Sequence, residues 1–381
     1  MVSISRRKVL LGLGATAIAA GGAGYFALRS KPAEIGFTLG DAELAAAFAL
    51  LKRHPAIDTH AHPGRTFVRG AMGLTWKLQL YQLLGSFEAR VAEDMIAGSM
   101  GAACFSGVAD FPLLDAIDAG LKSVRAFAPG EAWNFYQTQI VNLKALVTQG
   151  LVHPVLAPKD IAAARASGKP GCIFAIEGGD FVEDDPRRIV TAFADGVRML
   201  TLVHFVTGGK LGDIMTAPPV SGGITDLGRA VVVEMNKAGI IIDLAHAAEA
   251  TAFGALAVAS KPVIATHTHT NSHGITHPRF ISPKLAHAIV DGGGLIGAWP
   301  AGIGINTLQG YIGRIAELVK DVGIDNVAIG TDMYAIYQPV FDNYRQMPMI
   351  VGALINGGMS ENDVAKIIGG NFLRLFAANL A

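Results

Sequence analysis

Short apolar runs bounded by Gly or Pro recur along the chain at 56–60, 102–108, 172–176, 197–203, 240–244, 263–266, 295–298 and 327–329. They are too short for helices and mostly lack the alternation of a strand with one wet face, so they read as strands covered on both sides. Between most of them, apolar positions return at helical spacing, as in 187–194, 227–238, 247–258, 284–290 and 311–322. A helix over 41–53, with Leu44, Phe48 and Leu51 on one face, leads into the first strand. The stretch 64–101 reads as a helical excursion over the top of the barrel, and 360–376 as a closing helix. For that helix Ser360 is the N-cap and Asp363 the acidic partner of a capping box. Eight strands alternating with helices predict an α/β fold, a (β/α)8 TIM-like barrel.

The chain opens in a different style. Ser5-Arg6-Arg7-Lys8-Val9-Leu10 is followed by an uncharged apolar stretch, rich in Ala, Gly and Leu, that runs to Leu28. Paired arginines directly before a mildly hydrophobic segment resemble a bacterial twin-arginine signal, a route for proteins that are already folded. The other reading is a plain membrane anchor, because about 20 apolar residues can span a bilayer. Residues 1–29 are therefore assigned as a twin-arginine-type export signal or membrane anchor, and 30–381 as a single barrel domain with no linker or composition break. A periplasmic or cell-envelope location is expected, with the twin-arginine export machinery as a partner. Membrane contact is expected only through the N-terminal segment, if it stays uncleaved.

Composition narrows the class further. Of 381 residues, 51% are hydrophobic and 16% charged, enough apolar material for a large core. Lys+Arg and Asp+Glu are both 31, so the basic excess that a nucleic-acid partner requires is missing. Arg6, Arg7, Lys8 and Arg29 all fall in the first 29 residues, which hold no acid, so the remainder is slightly acidic. Cys104 and Cys172 each lie inside an apolar run and read as buried free thiols.

In a barrel of this kind chemistry sits at the C-terminal ends of the strands, and reactive side chains concentrate there. The first strand ends in His60-Ala61-His62, the third in Glu177-Gly178-Gly179 and the fourth in His204. The fifth ends in Asp243-Leu244-Ala245-His246, the sixth in Thr266-His267 and the eighth in Gly330-Thr331-Asp332. Imidazole and carboxylate are the ligands that suit zinc and similar divalent ions. In His60-Ala61-His62 the i and i+2 side chains of an extended chain point the same way, so both rings can reach one ion. His60, His62, Glu177, His246, His267 and Asp332 exceed the needs of one tetrahedral zinc. The count implies a binuclear site of two divalent metal ions, zinc being the expected metal, with Glu177 as the bridging carboxylate. Two ions about 3.5 Å apart can hold a hydroxide at neutral pH, so metal-assisted hydrolysis is predicted. His269, His273 and His277 read as loop residues, and Asp110, Asp180 and Asp213 as loop acids. Asp58 and Asp243 are possible orienting groups behind the ligands.

At these residues the sequence resembles the membrane dipeptidase (renal dipeptidase) family, peptidase family M19, within the amidohydrolase-like metal-dependent hydrolase barrels. The resemblance runs from about 56 to 375. Its most specific pieces are Ile176-Glu177-Gly178-Gly179, Leu200-Thr201-Leu202-Val203-His204, Ile242-Asp243-Leu244-Ala245-His246 and Ile329-Gly330-Thr331-Asp332. It implies a zinc-dependent dipeptidase that cleaves the peptide bond of dipeptides with a metal-bridging hydroxide. Glu177 would bridge, His246 and His267 would hold one ion, and His60, His62 and Asp332 the other. It also implies that His204 binds the substrate carbonyl and stabilises the oxyanion, and that Arg279 pairs with the substrate's C-terminal carboxylate. Asp332 is expected to pass a proton to the leaving amine. A homodimer is a further implication, since the family's members are often dimers.

Two departures bear on substrate. The family usually has His-x-Asp at the first strand where this chain has His60-Ala61-His62, which exchanges an anionic ligand for a neutral one. After His204 the family tends to have a polar loop, where Phe205-Val206-Thr207-Gly208-Gly209 stands here. They keep open a barrel hydrolase of another amide, lactone or ester. A non-catalytic metal-binding envelope protein is the reading from a different class.

Overall fold

The structure is a computed structural model and describes residues 33–117, 120–335 and 338–381. The leader assigned to 1–29 lies outside the described residues. The strands in chain order are β1 (Ala56–Ala61), β2 (Met100–Val108), β3 (Leu114–Ile117), β4 (Gly120–Ser123), β5 (His153–Pro154) and β6 (Gly171–Glu177). They continue as β7 (Val197–Thr201), β8 (Ile241–Asp243), β9 (Ile264–Thr268), β10 (Leu295–Ala298) and β11 (Val327–Ile329). Eight of them form a closed parallel ring, β1-β2-β6-β7-β8-β9-β10-β11, shut by the pairing of β1 with β11 at Asp58 and Ile329. These eight are the strands that the apolar runs predict. Every residue of each ring strand is buried, which explains why the runs do not alternate.

Helices cover the outside, and their starts are written locally. Thr225 accepts from Gly228 N at the head of Asp226–Ala238, and Ser282 accepts from Leu285 N ahead of Pro283–Asp291. Thr307 accepts from Gly310 N ahead of Leu308–Val322. One apolar cluster takes a residue from every ring strand, among them Ile57, Cys104, Ile173, Met199, Ile241, Ile264, Leu295 and Ala328. Phe372, Leu375 and Phe376 of the last helix join this cluster, so the barrel is a packed core with its chemistry confined to one end. Cys104 and Cys172 are buried and unpaired, as expected.

Near that end the strands approach very closely. A Cβ on Gly330 would stand 1.6 Å from Thr266 O, and one on Gly297 1.8 Å from it. The Thr59 hydroxyl fills the space so left and donates to Thr266 O and Ile329 O, both at 3.0 Å.

Three features differ from expectation. The closing segment is not one α-helix: Glu361–Ala365 and Asn371–Leu380 flank a π-turn, Lys366–Gly370. A Cβ on Gly369 would meet Pro55 O at 2.2 Å, so the helix widens where it passes the start of β1. Ser360 caps Asp363 N as expected, but the Asp363 carboxylate accepts from the Ser360 hydroxyl, so the reciprocal half of the box is missing. Third, the hairpin β3–β4 and the two-residue β5 carry no pattern in the sequence.

The excursion after β1 is helical, with a 3-10 turn at Pro63–Val68 and helices at Trp76–Leu83 and Glu88–Ala97. Phe67, Val68, Leu74 and Leu78 pack there on Val108 and Phe111 beyond β2. Among the described residues no helix is long and apolar enough to cross a membrane.

Candidate metal centre

The ends of β1, β6 and β9, with the loops that follow β1, β7, β8 and β11, bring seven side chains to one buried point. Glu177 closes β6 and lies at the centre. Its Oε1 is 3.3 Å from His60 Nε2, 3.1 Å from His246 Nε2 and 3.6 Å from His267 Nε2. Its Oε2 is 3.3 Å from both His62 Nε2 and His204 Nε2. Asp332 Oδ1 lies 3.2 Å from His62 Nε2 and 4.0 Å from His60 Nε2. The six residues read as ligands from sequence therefore converge, and His204 converges with them. Three overlapping nests could hold an ion: His60, Glu177 and His267; His60, His62 and Asp332; and Glu177, His204 and His246.

The residues fit divalent ions on chemical grounds. Two imidazole pairs face each other Nε2 to Nε2, His60 with His62 at 3.3 Å and His246 with His267 at 3.1 Å. Ring nitrogens this close must share either a proton or a cation between them, and a divalent ion is a bridge that suits imidazole. Glu177 Oε1 is buried with no hydrogen-bond donor, a costly state for a carboxylate that a cation relieves. Burial pushes the His246 and His267 rings well below the ordinary histidine range, with Arg279 acting in the same direction, so both are neutral donors of a lone pair. Burial also acts on His62, but Asp332 and Glu177 outweigh it and push that ring up to about 10. The two carboxylates thus call for a positive charge at this spot. Burial would lift Glu177, yet His204 and His60 beside it hold the carboxyl well below its usual range.

A ring of threonines and buried acids behind these side chains fixes their orientation. Asp243 accepts from the hydroxyls of Thr201 and Thr266 at 2.6 and 2.8 Å. With its proton committed to Asp243, the Thr266 hydroxyl accepts from His267 Nδ1 at 2.8 Å, which leaves the His267 Nε2 lone pair facing the centre. His62 Nδ1 donates to Ser106 O at 3.0 Å, with the same result for its Nε2. Asp58 accepts from His60 N, Thr331 N, the Thr331 hydroxyl and the Tyr344 hydroxyl, and so ties the end of β1 to the loop that carries Asp332. Asp332 has φ 55°, a left-handed conformation that aspartate tolerates better than most residues. Its N–H donates to His60 O at 2.8 Å.

The residue that sequence reasoning missed is Asp110, read there as a loop acid. It is fully buried and accepts from His204 Nδ1 at 2.6 Å and from Phe205 N at 2.9 Å. It therefore aims His204 Nε2 at Glu177. Its position two residues beyond β2 matches that of strand-end groups elsewhere in the ring, and this was the available signal. Burial lowers the His204 ring, but Asp110 and Glu177 raise it by more, so the net shift is upward.

Arg279 is buried on the side of His246 and His267. Its Nη1 donates to Ala245 O at 2.6 Å, its guanidinium lies 5.2 Å from the Trp299 ring centre, and its Nη2 is buried without a partner. His269 and His273 turn away from the centre, to Glu317 at 3.1 Å and Asp321 at 3.0 Å on the helix Leu308–Val322. Neither belongs to the nests, and nor does His277. His269 is not a solvated loop residue: burial, aided by Arg314 and His273, holds its ring down to about 3. Asp213 caps its own loop by accepting from Val220 N, Ser221 N and Gly223 N.

A closed parallel barrel with buried His and Glu nests at the strand ends defines a metal-dependent hydrolase of the amidohydrolase-like class. A family model described as membrane dipeptidase (peptidase family M19) matches residues 44–380, and the chain belongs to that family, a family of metallopeptidases that act on dipeptides. The chain is similar to dipeptidase verJ of Clonostachys rogersoniana, 24% identical over 351 residues that span 88% of this chain and 87% of the relative. Its fold is shared with the probable dipeptidase PvdM of Pseudomonas aeruginosa, at a TM-score of 0.72 and 17% identity over 90% of this chain and 99% of that one. It is also shared with a metallo peptidase of Rhodobacter sphaeroides liganded with a phosphinate mimic of the dipeptide L-Ala-D-Ala, at a TM-score of 0.70 and 18% identity over 86% and 99%.

Proposed function

We propose that the chain is an exported zinc dipeptidase that hydrolyses dipeptides with two metal ions held around Glu177. The observation that carries this reading is the convergence of five imidazole Nε2 atoms and two carboxylates on one buried point, with Glu177 Oε1 lacking any donor. In this reading Glu177 would serve both ions, His246 and His267 would hold one, and His60, His62 and Asp332 the other. When bound, the ions supply an activated water as nucleophile at neutral pH and a Lewis acid for the scissile carbonyl.

The remaining roles belong to the chain itself. His204, aimed by Asp110, presents Nε2 to the carbonyl oxygen and stabilises the charge that develops there. Arg279 offers its unpartnered Nη2 to the substrate's C-terminal carboxylate, in a charge-assisted hydrogen bond, while Nη1 stays anchored to Ala245 O. Asp332, with its side chain 13% exposed at the rim of the cluster, takes up a proton and passes it to the leaving amine. Burial of the other six side chains excludes bulk water, which strengthens each of these contacts.

The test is elemental analysis of residues 30–381 together with a dipeptide panel assayed with and without chelator. L,D-dipeptides belong in the panel, given the L-Ala-D-Ala mimic bound by the Rhodobacter sphaeroides relative. About two zinc ions per chain and dipeptide cleavage abolished by chelator are expected. Two ions without dipeptide cleavage would move the substrate to another amide, lactone or ester. A chain that binds metal and stays inert to all of these is the non-catalytic envelope protein. Export rests on Arg6-Arg7 and the apolar stretch after them. Recovery of the full chain from the cytoplasmic fraction of its host would overturn it.

A further inference from the structure

The turn after β1 builds a wall beside the cluster that the roles above leave unused. Gly64 and Arg65 follow one another at φ 55° and 61°. For Arg65 this is the left-handed region, which an L-residue keeps only where its surroundings hold it. A Cβ on Gly64 would stand 2.5 Å from Glu88 N and 2.7 Å from Phe87 C, so glycine lets the Phe87 backbone close on this turn. Phe87 N–H then donates to Gly64 O at 2.9 Å. The Arg65 guanidinium is thereby set against two rings, 5.1 Å from the centre of Phe87 and 4.6 Å from that of Tyr81.

This guanidinium has aromatic neighbours on its face. Among the described residues no carboxylate lies within ion-pair distance of it, whereas Arg69 nearby reaches Glu88 at 3.3 Å. Its protein acceptor is Leu84 O, at 3.4 Å from Nη2, and its Nε is enclosed without a partner. A guanidinium fixed through its face keeps donors at its edge for a carboxylate.

Its position relative to the cluster follows from its neighbours. Phe67 lies edge-on to His62 at 5.3 Å and stacks on Tyr81 at 6.4 Å. Phe87 meets Tyr334, two residues past Asp332, at 5.2 Å. Burial raises the Tyr81 hydroxyl, Arg65 opposes that shift and Asp332 adds to it, so the hydroxyl feels both groups. Arg65 therefore borders the His62 and Asp332 side, while Arg279 borders the His246 and His267 side. With Arg279 on the C-terminal carboxylate and the scissile carbonyl over Glu177, the Arg65 wall faces the N-terminal residue.

We propose that Arg65 is a specificity-determining residue that receives an anionic side chain on the substrate's N-terminal residue, so that the preferred substrates are dipeptides beginning with Glu or Asp. The assignment rests on the dipeptidase reading above.

The experiment compares kcat/KM for the near-isosteric pairs Glu-Ala and Gln-Ala, and Ala-Glu and Ala-Gln, in the metal-loaded wild-type chain, Arg65→Lys and Arg65→Asn. Asn tolerates the left-handed backbone, and each ratio is taken within one variant, so a general loss of activity does not enter it. Wild type is expected to favour Glu-Ala over Gln-Ala by at least about tenfold, with the ratio partly kept in Arg65→Lys and near one in Arg65→Asn. A wild-type ratio near one, a preference that survives in Arg65→Asn, or an acidic preference confined to Ala-Glu overturns the Arg65 assignment while leaving the dipeptidase reading intact. Failure of the metal-loaded chain to cleave any of the four peptides overturns the Arg65 assignment, and failure across the full panel, L,D-dipeptides included, removes the dipeptidase reading with it.

Discussion

Glu177→Gln should reduce bound metal from about two ions per chain to one or fewer, and kcat/KM for the best dipeptide on the order of 10³-fold. The size of the effect follows from position. Five imidazole nitrogens lie 3.1 to 3.6 Å from its two oxygens, and Glu177 belongs to two of the three nests. An amide of equal volume removes the negative charge and replaces one ligand oxygen with an N–H donor, which cannot bind a cation. The histidine pairs would then face each other with less charge to hold an ion between them. The barrel itself should survive, because Glu177 is not part of the apolar cluster at its core. Elemental analysis beside a melting curve checks both halves. A Glu177→Gln chain that keeps two ions and near-normal turnover would show that the carboxylate does not bridge.

Much of this was legible in the sequence because the fold imposes two simple rules. Ring strands covered on both faces must be apolar throughout, so runs such as 172–176 and 295–298 stand out without alternation. Chemistry at the strand ends places His60, Glu177, His204, His246, His267 and Asp332 at comparable points in successive units, and position alone picked them out. What stayed hidden depends on contacts between distant segments. Asp110 looks like any loop acid until β2 and β7 are neighbours of β6, when it meets His204 across 94 positions of sequence. At the π-turn Lys366–Gly370, Gly369 packs on the backbone of Pro55 more than 300 residues earlier, a contact that no helical periodicity could report. Arg65 was passed over for the same reason, since its cage comes from Tyr81 and Phe87 on separate parts of the excursion. Local pattern therefore located the groups that point inward from the strands. It could not say which side chains hold them in place, and those holding groups fix tautomer and aim.

The same separation of roles governs Asp332, where two functions predict different losses. Asp332→Asn is expected to lower kcat by about 10²- to 10⁴-fold while at least one ion per chain is retained. The substitution is a clean one for the backbone, because asparagine also tolerates the left-handed φ of 55° at this position. The N–H bond to His60 O and the Asp58 contacts to Thr331 do not involve the side chain and should persist. The loss is then confined to a carboxylate 3.2 Å from His62 Nε2 at the open rim of the cluster. If Asp332 carries the proton to the leaving amine, kcat falls, KM changes little and the fall eases for substrates whose leaving amine is less basic. If it acts only as a ligand, the ion beside His60 and His62 is lost and raising the zinc concentration restores turnover. Metal titration of kcat in the variant separates the two: full rescue by zinc would remove the proton-transfer role, and a plateau far below wild type at saturating zinc would establish it.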